Sequence, residues 1–410
     1  MTSSEYRNWK KRFNEACNGT LPSPTVLRSF LDEFHLLEMI GKKGTAKIHD
    51  KSQYLNKVDT LLNVLVEQAY IKAGKPKLLT IDQDATISNT CKSTALYCYE
   101  KTKAYQPVNC YSPELDSTIA SQFRDGNVPA KMGLMEMMKD TLVNLPEGIE
   151  TIHIRSDSAA CNNDYVRSMC DGSLSDKHII KFAISALMSK SIKKRYSMIK
   201  ESNWSELDRQ QDYVEVEHVD DKISVAHKLR LILIRTKIAD TDIFVPTTTS
   251  TKQQLELGLD YPEDFMDSES IELEELGQRY KIRAILSNRE SSMETKDLIY
   301  WARKRAGKSE GIHSVQKSDL AGGKFPSSKF GANAAWWMIM NLTIALQAIV
   351  SLVSLPKELK GKRFKELRAK VINTVAKIST AARGFVIILN NSLHYENVIN
   401  IIKKIEAAFP

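Results

Sequence analysis

The sequence lacks the short cysteine motifs that bind metals or form redox pairs. Its six cysteines are scattered between positions 17 and 170, with no CxxC pair and no cluster with histidine. Such usage predicts reduced thiols in a cytosolic protein. The opening run MTSSEYRNWKKRFNEACNG also lacks the apolar centre of a secretory signal. We therefore expect a cytoplasmic protein rather than an exported one.

Long uncharged runs are also rare. Residues 330–356, FGANAAWWMIMNLTIALQAIVSLVSLP, carry no charge and are long enough to cross a membrane. At about 100° per residue, however, the polar positions fall on one half of the helix circumference. We therefore expect a buried core helix and no membrane partner. The polar positions are Asn333, Asn341, Thr343, Gln347, Ser351 and Ser354.

The net charge of +8 is concentrated near the end of the chain. Between residues 357 and 383 there are nine lysines and arginines against two glutamates. Such a run is often only the solvated face of a helix, but a localised basic stretch on a globular chain also favours a nucleic-acid partner. We expect this stretch to be helical.

Length and composition allow several domains. A chain of 410 residues with 42% hydrophobic content is expected to form two or three. Ser23, Pro24 and Gly41 mark the start and end of an N-terminal helix. From residue 76 the pattern changes to strands, in KLLTIDQDA, TALYCYEK, AYQPVNCYS and TIASQFRDGN, followed by a helix and a strand that ends at Asp157.

Three antiparallel strands, a helix and a strand form the opening order of the ribonuclease H-like fold. We therefore predict an α/β protein with a ribonuclease H-like mixed sheet, interrupted by a largely β insertion and flanked by helical N- and C-terminal regions. In a sheet of this topology the first strand and the strand after the helix lie side by side. A carboxylate on each of them, Asp84 and Asp157, would then share one site.

The stretch LLTIDQDATIS, residues 78–88, places two carboxylates on one face of the first strand. Because side chains alternate along a strand, Asp82 and Asp84 point the same way and repel each other unless a positive charge lies between them. A metal ion is one such charge.

A helix from about residue 292 carries a second charged pattern. Arg303, Glu310 and Lys317 recur every seven residues, close to two helical turns, and Tyr300 precedes Arg303 by three. We expect these side chains to line one face. A carboxylate between cations is typical of a site where metal and phosphate meet, although an ordinary salt-bridged face has the same pattern.

Together these segments resemble the DDE (Asp-Asp-Glu) transposases of bacterial insertion sequences, in the group with a β insertion and a Tyr-Arg-Glu-Lys signature. The resemblance spans roughly residues 76–350 in order. It rests on TIDQDAT, FRDGNVPA, IHIRSDSA and RAGKSEGIHSVQKSDLAGGKFPSSKFGANAAWW.

The resemblance implies that Asp84, Asp157 and Glu310 are the catalytic, metal-binding carboxylates and that Lys317 contacts DNA phosphate. Three carboxylates supply the hard oxygen ligands that suit Mg²⁺ or Mn²⁺, and two such ions about 4 Å apart can promote displacement at a phosphodiester. The implied activity is strand cleavage and strand transfer at terminal inverted repeats. The implied partners are those repeats, target DNA and a second copy of the chain in a synaptic complex.

The arginine of the signature has two candidates. The family usually leaves three residues between arginine and glutamate, whereas Arg303 leaves six and Arg305 leaves four before Glu310. Tyr300 fills the tyrosine place. The basic stretch would hold DNA backbone or a second protomer through the following cations: Lys360, Lys362, Arg363, Lys365 and Arg368.

On this interpretation the chain has five regions. They are residues 1–75, helical and DNA-binding; 76–184, the first part of the catalytic domain; 185–285, the β-rich insertion; 286–355, the second part of the catalytic domain; and 356–410, basic and helical.

Two alternatives and one further residue stay open. The run LLTIDQDATIS also fits haloacid dehalogenase-like phosphatases, with Asp82 as nucleophile, Asp84 as acid/base and Asp220 or Asp221 as a Mg²⁺ ligand. The chain can also be a transposase-derived DNA-binding protein with an inactive site. Trp204 is a candidate for stacking on a DNA base, as an aromatic of the insertion does in related transposases, or else a core residue.

Overall fold

The computed structural model describes residues 11, 22–218, 228–238, 250–251, 270–275, 278–372, 376–381, 384–389 and 393–408. The helices of this part are α1 (Pro24–Asp32), α2 (Gln53–Lys72), α3 (Leu134–Val143), α4 (Asn163–Asp171), α5 (Lys190–Ser197), α6 (Thr295–Ser314), α7 (Phe330–Val353), α8 (Phe364–Leu367) and α9 (Leu393–Ala408). None of the five cysteines in these ranges forms a disulfide.

Capping residues fix the N-terminal helices. The Ser23 hydroxyl accepts a hydrogen bond from the backbone N–H of Val26 and starts α1, and Ser52 caps α2 in the same way. The first helix ends at Asp32 rather than near Gly41, and a short 3₁₀ turn, Leu37–Met39, follows it. The predicted start of α1 is therefore confirmed, and its predicted end is wrong.

Most of the strands belong to one sheet. The strands are β1 (Leu78–Ala85), β2 (Ser88–Asn89), β3 (Ala104–Tyr105), β4 (Val108–Ser112), β5 (Ser117–Gln122), β6 (Thr151–Ser156), β7 (Ile179–Ala186), β8 (Ser205–Asp208), β9 (Gln211–His218), β10 (Leu229–Lys237), β11 (Ser250–Thr251), β12 (Ser270–Glu275), β13 (Gln278–Ser287), β14 (Ala376–Ala381) and β15 (Gly384–Leu389). Eleven of them form a mixed sheet in the order β5-β4-β1-β6-β7-β13-β10-β9-β8, with β12 beside β13 and β11 beside β12. The strand-like run TALYCYEK, by contrast, forms no strand, because its buried residues Ala95 and Cys98 are three positions apart and Lys101 takes a left-handed turn with φ +59°.

The first half of the sheet has parallel strands at its centre. β1 pairs in parallel with β6, and β6 with β7, while β4 and β5 are antiparallel. Because residues alternate along β1, Leu79 and Ile81 enter the largest core cluster, which also contains Leu62 of α2 and Met138 of α3. The alternate positions of β1, which carry Asp82 and Asp84, lie on the opposite face.

The strand-rich region after β7 continues the same sheet. β13 pairs with β7 through only four residues, Ala284–Ser287 against Ala183–Ala186, and β10, β9 and β8 follow. The predicted β content is confirmed in the described part of this region, and its strands form no separate sheet there. The acidic segment 252–269 lies outside the described residues.

Helix α6 is positioned by apolar contacts with this second half. Leu298 and Ile299, both fully buried, pack in one cluster with Ile232 of β10 and Ile285 of β13. The helix also contacts β1, β6 and β7. It thereby brings its C-terminal half to the face of β1 that carries the aspartates.

Helix α7 is the uncharged helix. It has 24 residues and a mean hydropathy of 1.7 in its most apolar window, so by length and composition alone it is able to cross a membrane. The core helix of a globular protein has the same two properties. Two polar side chains of α7 are fully buried and bonded: Asn333 donates to the Tyr105 hydroxyl at 3.0 Å, and Asn341 accepts from Gln316 at 2.7 Å. The helix therefore lies in the core, as the sequence predicts.

The basic stretch is not one helix, and that prediction is wrong. The short helical turns Lys357–Leu359 and α8 are separated by Gly361, which has φ +72°. A further turn ends at Ile372, and β14 and β15 then form a hairpin. The β-branched residues of VINTV and KIST favour strands over a continuing helix.

Candidate functional site

Two carboxylates meet where β1 and β6 end. The strands pair up to Gln83 opposite Ser156, so the next residues, Asp84 and Asp157, emerge side by side. Asp157 turns the chain there, since its Oδ1 accepts a hydrogen bond from the backbone N–H of Ala159 at 2.9 Å. Burial raises the pKa of Asp84 to about 7 against the lowering effect of Arg305, and the neighbouring Asp157 charge adds to the rise.

Asp82 has a different environment. Arg155, its register partner on β6, donates from Nε and Nη2 to the two carboxylate oxygens at 2.6 and 2.8 Å. Asp82 is 1% exposed. A carboxylate whose two oxygens are bonded to a buried guanidinium has no oxygen directed at a substrate. Asp82 is therefore not placed as a nucleophile, which removes the main residue of the phosphatase alternative; Asp220 and Asp221 lie outside the described residues.

Helix α6 supplies two cationic or polar groups to Asp84. Arg305 Nη1 lies 3.1 Å from Asp84 Oδ2, and His313 Nδ1 lies 3.8 Å from the same atom. Burial lowers the pKa of His313 to about 3, with the charges of Lys317 and Arg305 acting in the same direction. His313 is thus a neutral imidazole beside the carboxylate.

The other arginine candidate faces away from the aspartates. Arg303 donates to the side-chain oxygen of Gln211 on β9 at 2.7 Å, and Tyr300 donates to the carbonyl of Leu207 at 3.4 Å. Residues two apart on a helix point in nearly opposite directions, so Arg303 and Arg305 cannot serve the same site. The described contacts place Arg305 at Asp84, and they place Tyr300 and Arg303 against β8 and β9.

Lys317 reaches the site through a change in helical geometry. From Val315 to Asp319 the chain forms a π-helical turn, which shifts the register expected from a seven-residue repeat. Burial lowers the pKa of Lys317, and the charges of Glu100 and Asp84 act in the opposite direction. Arg303 and Lys317 therefore do not line one face as the spacing predicted.

A buried polar network holds this turn. The fully buried Gln316 accepts from Asn109 at 2.9 Å and donates to Asn341 of α7 at 2.7 Å. Asn109 is the register partner of Asp84 on β4. Ser121 and Trp337 complete the network through further hydrogen bonds. Because each group has a partner, the network fixes Lys317 relative to Asp84.

Glu310 lies on α6 one turn before His313, but its side chain is outside the described part of the structure. Among the described residues no three His, Cys, Asp or Glu side chains gather as metal ligands. The two described carboxylates, Asp84 and Asp157, are nevertheless hard oxygen ligands of the kind that divalent cations prefer. Arg305 already contacts one oxygen of Asp84. Asp84 and Asp157 thus have the chemistry of ligands for Mg²⁺ or Mn²⁺, and they form no complete ligand set among the described residues.

The basic segment lies beside the π-helical turn. Asp319, whose side chain is buried, is contacted by Arg363 at 2.8 Å and by Lys365 at 3.8 Å. Asp319 is two residues from Lys317, so these contacts place an exposed basic surface next to the site. The exposed cations of this surface are Lys360, Lys362, Arg363, Lys365 and Arg368.

Trp204 is packed against its neighbours. The Arg235 guanidinium lies 4.4 Å from the centre of its ring, and the Tyr196 ring is 5.8 Å away. Arg235 is itself held by Glu201 and Asp212. A side chain packed in this way matches a core residue better than a surface for stacking bases.

The sequence interpretation missed two exposed tyrosines near Asp157. Tyr97 and Tyr99, in the loop between β2 and β3, border a cavity that has Asp157 in its wall. The only sequence signal is the interleaving of aromatic and basic residues in YCYEKTK, which the apparent strand pattern obscured. The sequence leaves His313 open between a group beside the site and an ordinary residue of the helix surface, because one histidine on a helix is compatible with many environments.

No known protein family matches the chain, and no curated protein matches it. Among solved structures, the chain is similar to the transposase in a cryo-EM structure of the piggyBac transposase synaptic complex with hairpin DNA. The sequence identity is 10%, the TM-score is 0.33, and the match covers 86% of this chain and 85% of that chain.

Proposed function

We propose that this protein is a metal-dependent DNA transposase that cleaves and transfers strands at terminal inverted repeats of a bacterial insertion sequence. Asp84, Asp157 and Glu310 are its catalytic carboxylates. The observation that carries the proposal is the meeting of Asp84 and Asp157 at the ends of neighbouring parallel strands, with Arg305 and the turn that carries Lys317 beside them. The strand order β5-β4-β1-β6-β7 supports a ribonuclease H-like catalytic domain.

The three carboxylates would hold Mg²⁺ or Mn²⁺, in one or two ions, which would supply Lewis acidity at the phosphodiester. The protein's own groups bind and orient the substrate. Lys317 and Arg305 attract the negative charge of the phosphate, and the neutral His313 fills the space beside Asp84 without adding a competing charge. The buried Asp82–Arg155 pair keeps β1 and β6 in register, so that the two catalytic aspartates stay together.

The exposed cations from Lys360 to Arg368 are proposed to hold the DNA backbone beside the site. A duplex bound there carries phosphates into reach of Lys317, because Asp319 links the basic segment to the same turn. The proposed assembly also contains target DNA and a second copy of the chain. It forms in the cytoplasm, at the nucleoid.

The test is divalent-metal-dependent cleavage of a DNA fragment that ends in the inverted repeats flanking the gene. Wild-type protein is compared with Asp84→Asn, Asp157→Asn and Glu310→Gln, and with Asp140→Asn as a control for an exposed aspartate outside the site. We expect cleavage to be lost in the first three variants and kept in the control, while binding to the repeats persists in all.

Two results would contradict this function. Binding of the repeats by wild-type protein without cleavage under any metal would favour the inactive DNA-binding alternative. Hydrolysis of a generic phosphatase substrate that requires Asp82 and ignores Glu310 would favour the phosphatase, against the geometry of Asp82.

A further inference from the structure

A cavity of about 610 Å³ opens beside Asp157. Its walls come from the loop of Tyr97 and Tyr99, the segment 126–131 after β5, and the residues 157–159 after β6. This volume lies in the range of pockets that take a drug-sized ligand or a nucleotide. Asp157 is therefore shared between the candidate catalytic site and a cleft that the reaction chemistry alone does not require.

We propose that this cleft binds a nucleobase of the DNA strand whose phosphodiester lies at Asp84 and Asp157, with Tyr97 and Tyr99 as the stacking surface. The proposal rests on the proposed function for the identity of the strand. It adds a base-binding subsite and two residues that the sequence analysis did not identify.

The exposure of the two tyrosines supports this assignment. Tyr97 is 59% exposed and Tyr99 is 76% exposed, although both rings are large and largely apolar. Aromatic rings at the border of a cleft are the usual means by which proteins bind single-stranded nucleic acid, because every base offers a face for stacking. The Lys103 ammonium lies 5.9 Å from the centre of the Tyr97 ring, which places a cation beside the same surface.

The cleft is held in shape by close backbone packing. A Cβ at Gly126 would lie 2.5 Å from the carbonyl oxygen of Ala104 and 2.6 Å from that of Leu96, so only glycine fits there. This contact joins the segment 126–131 to the base of the tyrosine loop. On the other side, the buried Arg124 donates to the carbonyl of Met132 at 2.7 Å and fixes the end of that segment.

The tyrosine loop also reaches the other half of the site. Burial lowers the pKa of Lys317, and the charges of Asp84 and of Glu100, next to Tyr99, act against that lowering. The Ser88 hydroxyl donates to the carbonyl of Gly322 at 3.1 Å, just beyond the turn of Lys317. A strand that passes Lys317 and Asp84 is therefore adjacent to the two tyrosines.

The charge around the cleft suits a DNA strand. The exposed Lys131 lines the cleft, and Lys101 and Lys103 lie in the tyrosine loop. These cations favour the phosphates on either side of a stacked base. A neutral aromatic metabolite would make no use of them.

The experiment measures the affinity of the full chain for a single-stranded DNA oligonucleotide without divalent metal, so that no strand is cleaved. The oligonucleotide carries one 2-aminopurine, whose fluorescence falls on stacking, and a second probe of the same length is abasic throughout. The variants are Tyr97→Ala, Tyr99→Ala, the double substitution and the matching Phe substitutions. Tyr54→Ala on α2 is the control for removing an exposed tyrosine, because Tyr54 is 37% exposed.

We expect each Ala substitution to weaken binding of the base-containing oligonucleotide about fivefold or more, and the double substitution to remove the fluorescence quenching. The Phe variants and Tyr54→Ala should bind within about twofold of wild type. Binding of the abasic probe should be the same for all variants, because a stacking surface has nothing to contact there.

The proposal fails if the Ala variants bind the base-containing probe as wild type does, or if they lose equal affinity for both probes. It also fails if free nucleoside monophosphates compete as well as the oligonucleotide, which would indicate a nucleotide pocket. Failure of the proposed function has a different signature, namely wild-type protein that binds through its tyrosines and cleaves no DNA.

Discussion

Arg155 and Asp82 form a bidentate pair between neighbouring parallel strands, fully inside the protein. Arg155 also donates to the carbonyl of Trp301 on α6 at 2.8 Å. One guanidinium thus ties β1, β6 and α6 together, two residues from the aspartates of the candidate site. The role of Asp82 is to position these elements.

This arrangement predicts that substitution of Asp82 costs much more stability than substitution of Asp84. Asp82→Asn leaves a buried guanidinium without its partner, so we expect a loss of roughly 3 kcal/mol in the free energy of unfolding. Asp84→Asn should cost little stability, because burial already penalises its charge. Urea unfolding of both variants at neutral pH measures the difference.

A double variant separates charge pairing from packing. Asp82→Leu with Arg155→Met removes both charges at similar volume, and we expect it to recover at least half of the stability lost by Asp82→Asn. Equal stability losses for Asp82→Asn and Asp84→Asn would contradict a purely positioning role for Asp82.

The two arginines of α6 should likewise differ in their effect on cleavage. Arg305 contacts Asp84 and Arg303 contacts Gln211, so we expect Arg305→Ala to slow single-turnover cleavage about tenfold or more, as for removal of a charge-assisted hydrogen bond. Arg303→Ala should stay within about twofold. The reverse order would assign the signature place to Arg303 and would require α6 to rotate on DNA binding.

The sequence predicted that Asp84 and Asp157 lie close together. Each aspartate lies at the end of a recognisable strand, and the fold topology places those two strands side by side. The sequence did not predict which arginine faces Asp84, because Arg303 and Arg305 both depart from the usual spacing to Glu310. It also did not predict the position of Lys317, because the π-helical turn at Val315–Asp319 breaks the seven-residue repeat. That turn depends on Gln316, whose partners are distant in the chain. Long-range polar contacts of this kind leave no periodic pattern in a sequence.

The basic stretch, residues 357–383, is a second case in which the sequence predicted only part of the structure. Its composition predicted the exposed cations, and those between 357 and 370 are confirmed as exposed or half-buried. Its helical form was wrong, because Gly361 and the β-branched run after it outweigh the helical propensity of lysine. Charge is read directly from composition, whereas conformation depends on single residues that interrupt a pattern.

His153 gives a prediction for pH. Burial lowers its pKa to about 4, and the Arg289 guanidinium, 2.8 Å from Nε2, acts in the same direction. Between about pH 4 and the ordinary value of about 6.5, the unfolded chain binds a proton at this residue that the folded chain does not. The free energy of unfolding should therefore fall as pH falls through this window.

His153→Gln removes that contribution, so its unfolding free energy should depend less steeply on pH between about 4 and 6.5 than that of wild type. Urea unfolding at several pH values in that range, with both proteins compared at each, measures the difference. Arg289→Met should also reduce the slope, since the pKa of His153 then moves toward its ordinary value. Parallel curves for wild type and His153→Gln would mean that His153 is accessible to protons in the folded protein.

The basic surface should govern the salt dependence of DNA binding. The five exposed cations from Lys360 to Arg368 lie beside Asp319 and the turn of Lys317, where a duplex entering the site would pass. Removing one cation that neutralises a phosphate reduces the slope of log K against log salt by about 0.9 for duplex DNA, so neutralising all five should flatten it by up to about 4.5. Binding titrations between low and physiological salt measure this slope.

The matched control neutralises five exposed lysines elsewhere on the chain. These are Lys47, Lys75, Lys177, Lys194 and Lys200. Because both sets change the net charge equally, a general effect of charge would flatten both slopes alike, whereas a DNA-binding surface flattens only the first. Two equal slopes would reduce the segment from Lys360 to Arg368 to a solvated surface and would require the duplex to approach the aspartates from another direction.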